Sequence, residues 1–159
     1  FEKVGYTVTS GYTAVKDLSR GNFAYRDQLW KGADMIGLGV ASFGHIGGIH
    51  YQNEPNFSSY LSSLQESTLP AYRALKLTAE ETLIREMILQ LKIGTISRDY
   101  FQEKFGIDIL SRFNEPLSNL KNEGLMENNG DTMTLTREGL LRVDGLLPGF
   151  FLPQHQPLP

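Results

Sequence analysis

The segment from residue 32 to residue 53 constrains the fold of this chain more than any other. An apolar run passes there into glycines at positions 37, 39, 44, 47 and 48, two histidines and a Ser-Phe pair. Glycine has no Cβ, so it permits a positive φ and the close approach of a ligand or of a second strand. We therefore predict that residues 35–40 form a strand buried on both faces that ends at a binding site.

Length, charge and composition exclude several classes of protein. The chain has 159 residues, a net charge of −3, no long block of like charge and no cysteine. Strong electrostatic attraction to nucleic acid or to an anionic membrane is therefore not expected. Without cysteine, the chain alone forms no disulfide, thiolate nucleophile or Cys-ligated iron–sulfur site.

Targeting signals are also missing from the sequence. It has no apolar run long enough to span a bilayer and no signal-peptide pattern, so we expect a cytoplasmic protein without a membrane partner. Because the chain begins Phe-Glu-Lys without Met, we expect it to be a piece of a longer protein.

The first region, residues 1–77, is rich in Gly, Tyr and Ser and carries short strand-like runs. Strand-prone runs flank Ser10-Gly11 and predict a hairpin, whereas aromatic and apolar spacing predicts helices further along. The predicted elements besides 35–40 are strands at 4–9 and 12–16, a helix or turn at 23–30, a strand at 46–52, a helix at 56–65 and a strand at 74–77.

The second region, residues 78–147, reads as short capped helices. Thr78 and Glu81 form a capping box before an apolar stripe that ends at Gly94. Further helices are predicted to start at Ser97, Asp108 and Thr136, the last with Leu140, Leu141 and Val143 facing inward. Pro116 either kinks the helix that starts at Asp108 or opens a new one. Residues 125–127 and 132–135 flank Asn128-Asn129-Gly130-Asp131 and predict a hairpin.

This element order predicts an α+β chain with a winged-helix-like second part. The tail, residues 148–159, holds four prolines and is predicted to be extended or disordered. The predicted domain boundaries are therefore 1–77, 78–147 and 148–159.

The glycine run does not fit a dinucleotide-binding loop or a metal site. Gly37-Leu38-Gly39 resembles the start of a dinucleotide-binding loop, but position 42 is Ser and no helix follows. His45 and His50 lack a carboxylate or Cys at ligand spacing, so no metal site is expected. His45 is the one candidate for a general acid or base, because the unperturbed pKa of a histidine side chain lies near neutrality, and His155 is expected to have no role.

Two further features leave alternatives open. Arg26 either presents a cation to a carboxylate or phosphate or pairs with Asp27, and the ion pair is favoured. The aromatic residues before position 31 either line a flat apolar ligand or belong to the core, and the core is favoured. These aromatic residues are Tyr6, Tyr12, Phe23, Tyr25 and Trp30.

A winged helix often binds DNA, but the recognition segment here is not basic. Between residues 108 and 123, Arg112 and Lys121 are balanced by Asp108, Glu115 and Glu123. Tracking of phosphates needs an excess of positive charge, so nucleic acid is not the expected partner.

The stretch 25–53, with Gly-Leu-Gly-Val-Ala-Ser at its centre, resembles the end of the catalytic barrel of oxygen-independent coproporphyrinogen III oxidases, which are radical S-adenosylmethionine (SAM) enzymes. The related heme-degrading radical SAM methyltransferases are similar over Tyr25-Arg26-Asp27 and residues 32–39. Downstream, Leu77-Thr78, Gly124-Leu125 and residues 135–139 are similar to landmarks of the C-terminal domain of that family.

The resemblance implies the terminal strands of a partial (β/α) barrel, followed by a winged-helix-like domain. It implies SAM and a [4Fe–4S] cluster as cofactors of the full-length protein, although the cysteines that bind the cluster are missing, so the isolated chain should be inactive. The rest of the barrel and a tetrapyrrole are the implied partners. The residues implied to line the chamber for SAM and the tetrapyrrole are Tyr25, Gly37, Gly39, Ala41, Ser42 and Phe43.

The implied function is the anaerobic oxidative decarboxylation of coproporphyrinogen III in heme biosynthesis. A radical SAM methyltransferase of anaerobic heme degradation, a heme-trafficking module and a nucleic-acid-binding winged helix are the alternatives.

Overall fold

The computed structural model describes residues 1–21 and 23–156, which group into two units. The first unit joins Phe1–Lys31 to the chain from Leu83 onward, and the second is Gly32–Thr82. This grouping says which residues pack together. The boundaries 1–77, 78–147 and 148–159 describe parts of a larger protein, and they stay predictions.

Both units contain helices and strands. The strands are β1 Thr7–Ser10, β2 Thr13–Val15, β3 Phe43–Ile46, β4 Ile49–Asn53, β5 Ala71–Lys76, β6 Thr95–Ser97, β7 Met126–Asn128 and β8 Thr132–Leu135. The helices are α1 Ala24–Trp30, α2 Phe57–Gln65, α3 Ala79–Ile93, α4 Arg98–Phe105, α5 Ile109–Arg112, α6 Asn114–Asn122, α7 Arg137–Leu141 and α8 Val143–Leu146. Short 3-10 turns lie at Glu2–Val4, Leu147–Phe150 and Pro153–His155.

The winged-helix-like order is confirmed in the first unit. Helices α3, α4 and α6 are followed by the hairpin β7–β8, and β8 also pairs with β6 in an antiparallel sheet of order β6–β8–β7. Each of these helices is too short to be stable alone, so they share one core. The most deeply buried side chains of that core are Leu83, Met87, Leu91, Ile96, Phe101, Ile109 and Leu125.

The predicted helix starts at Thr78, Ser97, Asp108 and Thr136 are confirmed by their caps. A start at Pro116 is wrong, because α6 begins at Asn114 and Pro116 lies within its first turn, where proline is tolerated. The backbone N–H of Thr78 donates to the Glu81 carboxylate at 2.8 Å, and the N–H of Glu81 donates to Oγ1 of Thr78 at 3.2 Å. Ser97, Asp108 and Thr136 each accept a backbone N–H from the first turn of their helix. Such caps are local in sequence, which is why they could be identified without the structure.

Two predictions for the end of the chain are wrong. Leu141 is 65% exposed, because α7 ends there and the helical spacing that would turn it inward is broken before α8. The tail is not extended over Leu147–Phe150, where Phe150 is buried with its ring edge-on to Phe113 at 5.7 Å. Residues 157–159 of the predicted tail lie outside the described residues.

The predicted hairpin at Ser10-Gly11 is confirmed as β1–β2, and the predicted helix at 23–30 is confirmed as α1. The preference for a core role is wrong for three of the five aromatic residues, whereas Tyr6 and Trp30 are partly buried. Tyr12, Phe23 and Tyr25 are 49%, 53% and 62% exposed. At Phe23 the guanidinium of Arg26 lies over the ring at 5.7 Å, so a cation rather than an apolar layer faces that ring.

The second unit is built on the antiparallel sheet β3–β4–β5. The strand predicted at 46–52 is wrong in its bounds, because Gly47 and Gly48 adopt φ of +56° and +75° and form the turn of the β3–β4 hairpin. The strand predicted at 74–77 is found as β5, which begins earlier. Helix α2 is confirmed, with the Asn56 side chain accepting the N–H of Ser59 at 3.0 Å.

The buried strand predicted at 35–40 is wrong. Within the described residues its only ladder pairing is an antiparallel bridge between Met35 and His45. Ile36 and Leu38 are 65% and 84% exposed. The apolar pattern indicates that these side chains suit burial, but burial needs covering layers that the described part of the chain does not supply.

Among the described residues, no helix combines the length and the apolar character that crossing a membrane requires.

Candidate functional site

The candidate site is the backbone segment from Gly37 to Ser42, which leaves and rejoins the sheet of the second unit. Before it, Met35 and His45 exchange backbone hydrogen bonds of 2.6 and 2.8 Å. Gly39 and Ala41 have positive φ values of +98° and +58° and reverse the chain direction. A positive φ is uncommon for alanine, so the segment is held in this shape by its surroundings.

Three consecutive side chains at the end of β4 hold this segment. The hydroxyl of Tyr51 accepts the N–H of Gly37 at 3.0 Å. The amide of Gln52 donates to the carbonyl of Ala41 at 3.3 Å. The amide of Asn53, a residue that is 6% exposed, donates to the carbonyls of Gly37 and Gly39, both at 3.0 Å. The ends of the segment are therefore tied to one strand.

Close packing requires glycine at Gly37 in this segment and at Gly44 on β3. A Cβ on Gly37 would lie 2.3 Å from the carbonyl oxygen of Phe43, and a Cβ on Gly44 would lie 2.2 Å from the ring of Tyr51. Both distances are far below van der Waals contact, so no other residue fits without movement of the backbone or the ring. The close approach that these two glycines permit is thus made within the chain itself.

Aromatic rings continue the site onto the sheet. Phe43 is 47% exposed, and its ring lies parallel to that of His50 at 5.7 Å. Beside them is a groove of about 360 Å³, also lined by Arg73 and Leu75. The guanidinium Nε of Arg73 donates to the side-chain oxygen of Gln52 at 2.8 Å, which links the groove to the site segment.

His45 differs from Phe43 in exposure. It is 4% exposed, and its ring is tilted by 41° to that of His50 at 6.1 Å. Its position on β3 is next to the segment, but its side chain is covered. A role for His45 as an acid or base stays a prediction.

Tyr25 lies on α1 of the first unit, where its ring is 62% exposed. The neighbouring Arg26 forms the predicted ion pair with Asp27, with Nη2 at 2.6 Å from the carboxylate. The structure therefore brings Gly37, Gly39 and the three residues 41–43 into one segment of the second unit, while Tyr25 belongs to the other unit.

Tyr51, Gln52 and Asn53 are site residues that the sequence did not identify. Their contacts to the segment span 11 to 16 positions, so no local pattern points to them. The one available signal is a run of polar side chains at the end of a strand next to the glycine run.

The residues present do not fit an iron–sulfur cluster, because thiolates bind such clusters and the chain contains no cysteine. Within the described ranges, no three His, Asp or Glu side chains are grouped so as to hold a metal ion.

Comparisons with known proteins give a heme chaperone and oxygen-independent coproporphyrinogen III oxidases as relatives. The heme chaperone HemW of Bacillus subtilis is 30% identical over 124 residues, which is 77% of this chain and 32% of that protein. The oxygen-independent coproporphyrinogen III oxidase of Helicobacter pylori strain 26695 is 31% identical over 120 residues, which is 72% of this chain and 26% of that protein. No family model matches the chain.

A solved structure carries the same fold. Coproporphyrinogen III oxidase HemN from Escherichia coli, described as a radical SAM enzyme, superposes with a TM-score of 0.72 over 94% of this chain at 19% identity. The match covers 38% of that protein. The chain thus spans about a quarter to a third of the curated relatives it matches and has a partial radical SAM fold.

Proposed function

We propose that this chain, a member of the oxygen-independent coproporphyrinogen III oxidase-like radical SAM proteins, forms the C-terminal part of an enzyme that oxidatively decarboxylates coproporphyrinogen III in heme biosynthesis. The observation that supports this activity is the similarity to the oxidases over 72% of the chain. The fold shared with HemN is compatible with that activity.

In this proposal the segment from Gly37 to Ser42 forms one wall of the chamber for SAM and the tetrapyrrole. Phe43, which is half-exposed, supplies an apolar surface next to it. Tyr25 lines the same chamber in the complete protein. The reductive cleavage of SAM to a radical needs a [4Fe–4S] cluster whose ligands this chain lacks, so we assign no step of that chemistry to its residues.

The rest of the barrel is the proposed partner of the exposed strand-like segment. Ile36 and Leu38 are apolar and largely exposed, although their pattern suits a strand covered on both faces. A neighbouring strand and its covering helices would bury both side chains. The proposed location is the cytoplasm, as expected for an enzyme of this kind.

The test uses the complete protein that carries this chain. After anaerobic reconstitution and chemical reduction of the cluster to its paramagnetic form, we expect a cluster signal in electron paramagnetic resonance. With SAM and an added electron acceptor, we also expect conversion of coproporphyrinogen III to the divinyl product, measured by chromatography. Absence of a cluster signal would contradict membership of a working radical SAM enzyme. A methylated, ring-opened product formed from heme would support a radical SAM methyltransferase of heme degradation and contradict the oxidase.

A heme chaperone is the second candidate, favoured by the similarity to HemW over 77% of the chain. Heme titration of the complete protein separates the two functions. Stable heme binding together with an absence of SAM cleavage on coproporphyrinogen III would support the chaperone. Turnover of coproporphyrinogen III would support the oxidase.

A further inference from the structure

The hydroxyl of Tyr100, on α4 of the winged-helix-like part, reaches the C-terminal end of α1. It lies 2.7 Å from the carbonyl oxygen of Lys31, the C-cap residue of that helix, across 69 positions of the sequence. The last carbonyls of a helix have no partner within the helix, so they need donors from elsewhere. The chain turns directly afterwards, because Gly32 has a φ of +82°. Tyr100 therefore fixes the point at which α1 ends.

The other end of α1 is held by Arg26. Its Nη1 donates to the hydroxyls of Ser10 and Thr13 on the β1–β2 hairpin, to the first of them at 3.4 Å. Its guanidinium also lies over the ring of Trp30, one turn further along α1, at 5.3 Å. A helix of seven residues that is attached at both ends has a fixed direction. One attachment comes from the hairpin and the other from the winged-helix-like part.

Tyr100 is itself held by a buried ion pair. Its hydroxyl lies 2.6 Å from a carboxylate oxygen of Glu86, which is 2% exposed, and accepts from the ammonium of Lys104 at 3.0 Å. Burial, followed by the hydrogen bond with Glu86, raises the pKa of Tyr100 above its ordinary value of 10.0, so the hydroxyl keeps its proton. Apolar residues often replace a buried ion pair without loss of stability. What this pair supplies besides stability is a donor aimed at the carbonyl of Lys31.

We propose that Tyr100 is a positioning residue of the enzyme: it holds the end of α1 and so sets the direction of the helix that carries Tyr25. The proposal rests on the proposed function, in which Tyr25 lines the chamber for SAM and the tetrapyrrole. Tyr100 acts only through α1 and takes part in no step of the reaction. The winged-helix-like part thereby contributes to the binding of substrate.

Two variants of the complete protein test the hydroxyl alone. Glu86→Leu removes the buried carboxylate and leaves the single hydroxyl proton of Tyr100 to the carbonyl of Lys31. Glu86→Leu combined with Tyr100→Phe removes that hydrogen bond as well. Neither variant leaves a carboxylate buried without its partners, so both should fold. We expect the KM for coproporphyrinogen III to be about fivefold higher in the double variant, by analogy with the loss of one ordinary hydrogen bond, and kcat to be equal in the two.

The split between KM and kcat distinguishes positioning from support of the fold. A variant that is merely less stable has a smaller active fraction, which lowers the apparent kcat and leaves KM unchanged. Tyr72→Phe removes a hydroxyl from the exposed strand β5 and should change neither constant. If the double variant does not fold, Tyr100→Phe alone is compared with the unmodified protein. An equal KM in the compared proteins overturns the proposal, and so does a difference confined to kcat.

Amide hydrogen exchange separates this proposal from the proposed function. In the peptide that covers residues 24–31, exchange should be faster in the double variant than in Glu86→Leu, with or without substrate. If the unmodified protein does not convert coproporphyrinogen III, the proposed function fails, and the exchange result still decides whether Tyr100 holds α1. Equal exchange in that peptide overturns the proposal.

Discussion

The ammonium nitrogen of Lys104 lies 2.8 Å from a carboxylate oxygen of Glu86, which is 2% exposed within the winged-helix-like core. The hydroxyl of Tyr100 lies 2.6 Å from the other oxygen and 3.0 Å from Lys104. A buried carboxylate is costly unless it is paired and hydrogen-bonded. These two partners on α4 therefore make Glu86 compatible with its position on α3.

Replacing Lys104 with methionine should destabilise the chain. The substitution leaves Glu86 buried without its cation, and we expect the free energy of unfolding to fall by about 2 kcal/mol, a reduced value because Lys104 is itself half-exposed. Urea denaturation at pH 7 measures this. Lys121→Met, at an exposed position on α6, should change the free energy by less than about 0.5 kcal/mol. Equal losses for both variants would contradict the role of the buried pair.

The ion pair between Lys104 and Glu86 should also make the stability of the chain depend on pH in the alkaline range. Burial lowers the pKa of Lys104, but the hydrogen bonds and charges of Glu86 and Tyr100 outweigh it, so the pKa lies above its ordinary value of 10.5. A group whose pKa is raised on folding stabilises the folded state at pH values below its unfolded pKa. This stabilisation is lost as the pH rises through its folded pKa. Stability should therefore fall above pH 10.5, and this part of the fall should be missing in Lys104→Met.

An acid-dependent contribution is expected where β1–β2 meets α8. The hydroxyl of Tyr12 donates to the carboxylate of Asp144, with Lys92 at 3.5 Å. That hydrogen bond, followed by the charge of Lys92, holds the pKa of Asp144 below its ordinary value of 3.8. A group whose pKa is lowered on folding stabilises the folded state at pH values above its unfolded pKa. This stabilisation is lost as the pH falls through its folded pKa.

Tyr12→Phe should therefore flatten the loss of stability below pH 3.8 and reduce stability at pH 7 by about 0.5–1 kcal/mol, the contribution of one hydrogen bond. Thermal unfolding between pH 2 and pH 7 tests both effects. Tyr72→Phe, on the exposed strand β5, is the matched control and should follow the unmodified chain at every pH. A steeper acid loss in Tyr12→Phe would refute this assignment.

Gly37→Ala should distort the candidate site. The added Cβ would meet the backbone of Phe43 at 2.3 Å, and overpacking of this kind costs about 1–3 kcal/mol. Gly145→Ala is the comparison, because the space around that helical glycine is open and alanine favours a helix by up to about 1 kcal/mol. Urea denaturation should show a loss for the first variant and none for the second. Tolerance of Gly37→Ala without loss would mean that the backbone at Phe43 yields easily.

Leu38→Lys tests the proposed covering of the strand-like segment. Leu38 is 84% exposed, so the variant should change the unfolding free energy of the 159-residue chain by less than about 0.5 kcal/mol. In the complete protein the same change should lower the thermal midpoint, because a charge would enter a covered strand. Leu69→Lys alters a leucine that is 90% exposed and should be neutral in both contexts. A neutral Leu38→Lys in the complete protein would refute the proposed neighbour.

The features that the sequence predicted correctly are mostly local. Thr78, Ser97 and Thr136 cap helices through residues three positions away, so the pattern contains the whole interaction. The hairpin around residues 128–131 is equally short-range. The wrong strand at 35–40 has another cause. Its apolar residues indicate that burial is suitable, and whether burial occurs depends on what lies beside them.

The candidate site likewise combines a local feature that the sequence predicted with long-range contacts that it did not predict. The glycine run marked the segment, because a missing Cβ is visible in the sequence. The hydrogen bonds of Asn53 to Gly37 and Gly39 were not predictable, since they depend on how the turn at Gly47-Gly48 aligns β4 with the segment. A one-residue change in that alignment would turn Asn53 to the other face of its strand.

The first unit is assembled from two distant stretches of chain. The N–H of Gly11 donates to the carbonyl of Lys92, and Glu2 pairs with Arg137 at 3.0 Å. During synthesis on the ribosome, the opening hairpin emerges long before either of these partners exists. It must therefore wait, without its stabilising contacts, while all of residues 32–82 is translated. Non-local closure of this kind slows folding and prolongs the time for which the β1–β2 hairpin lacks its contact with Lys92.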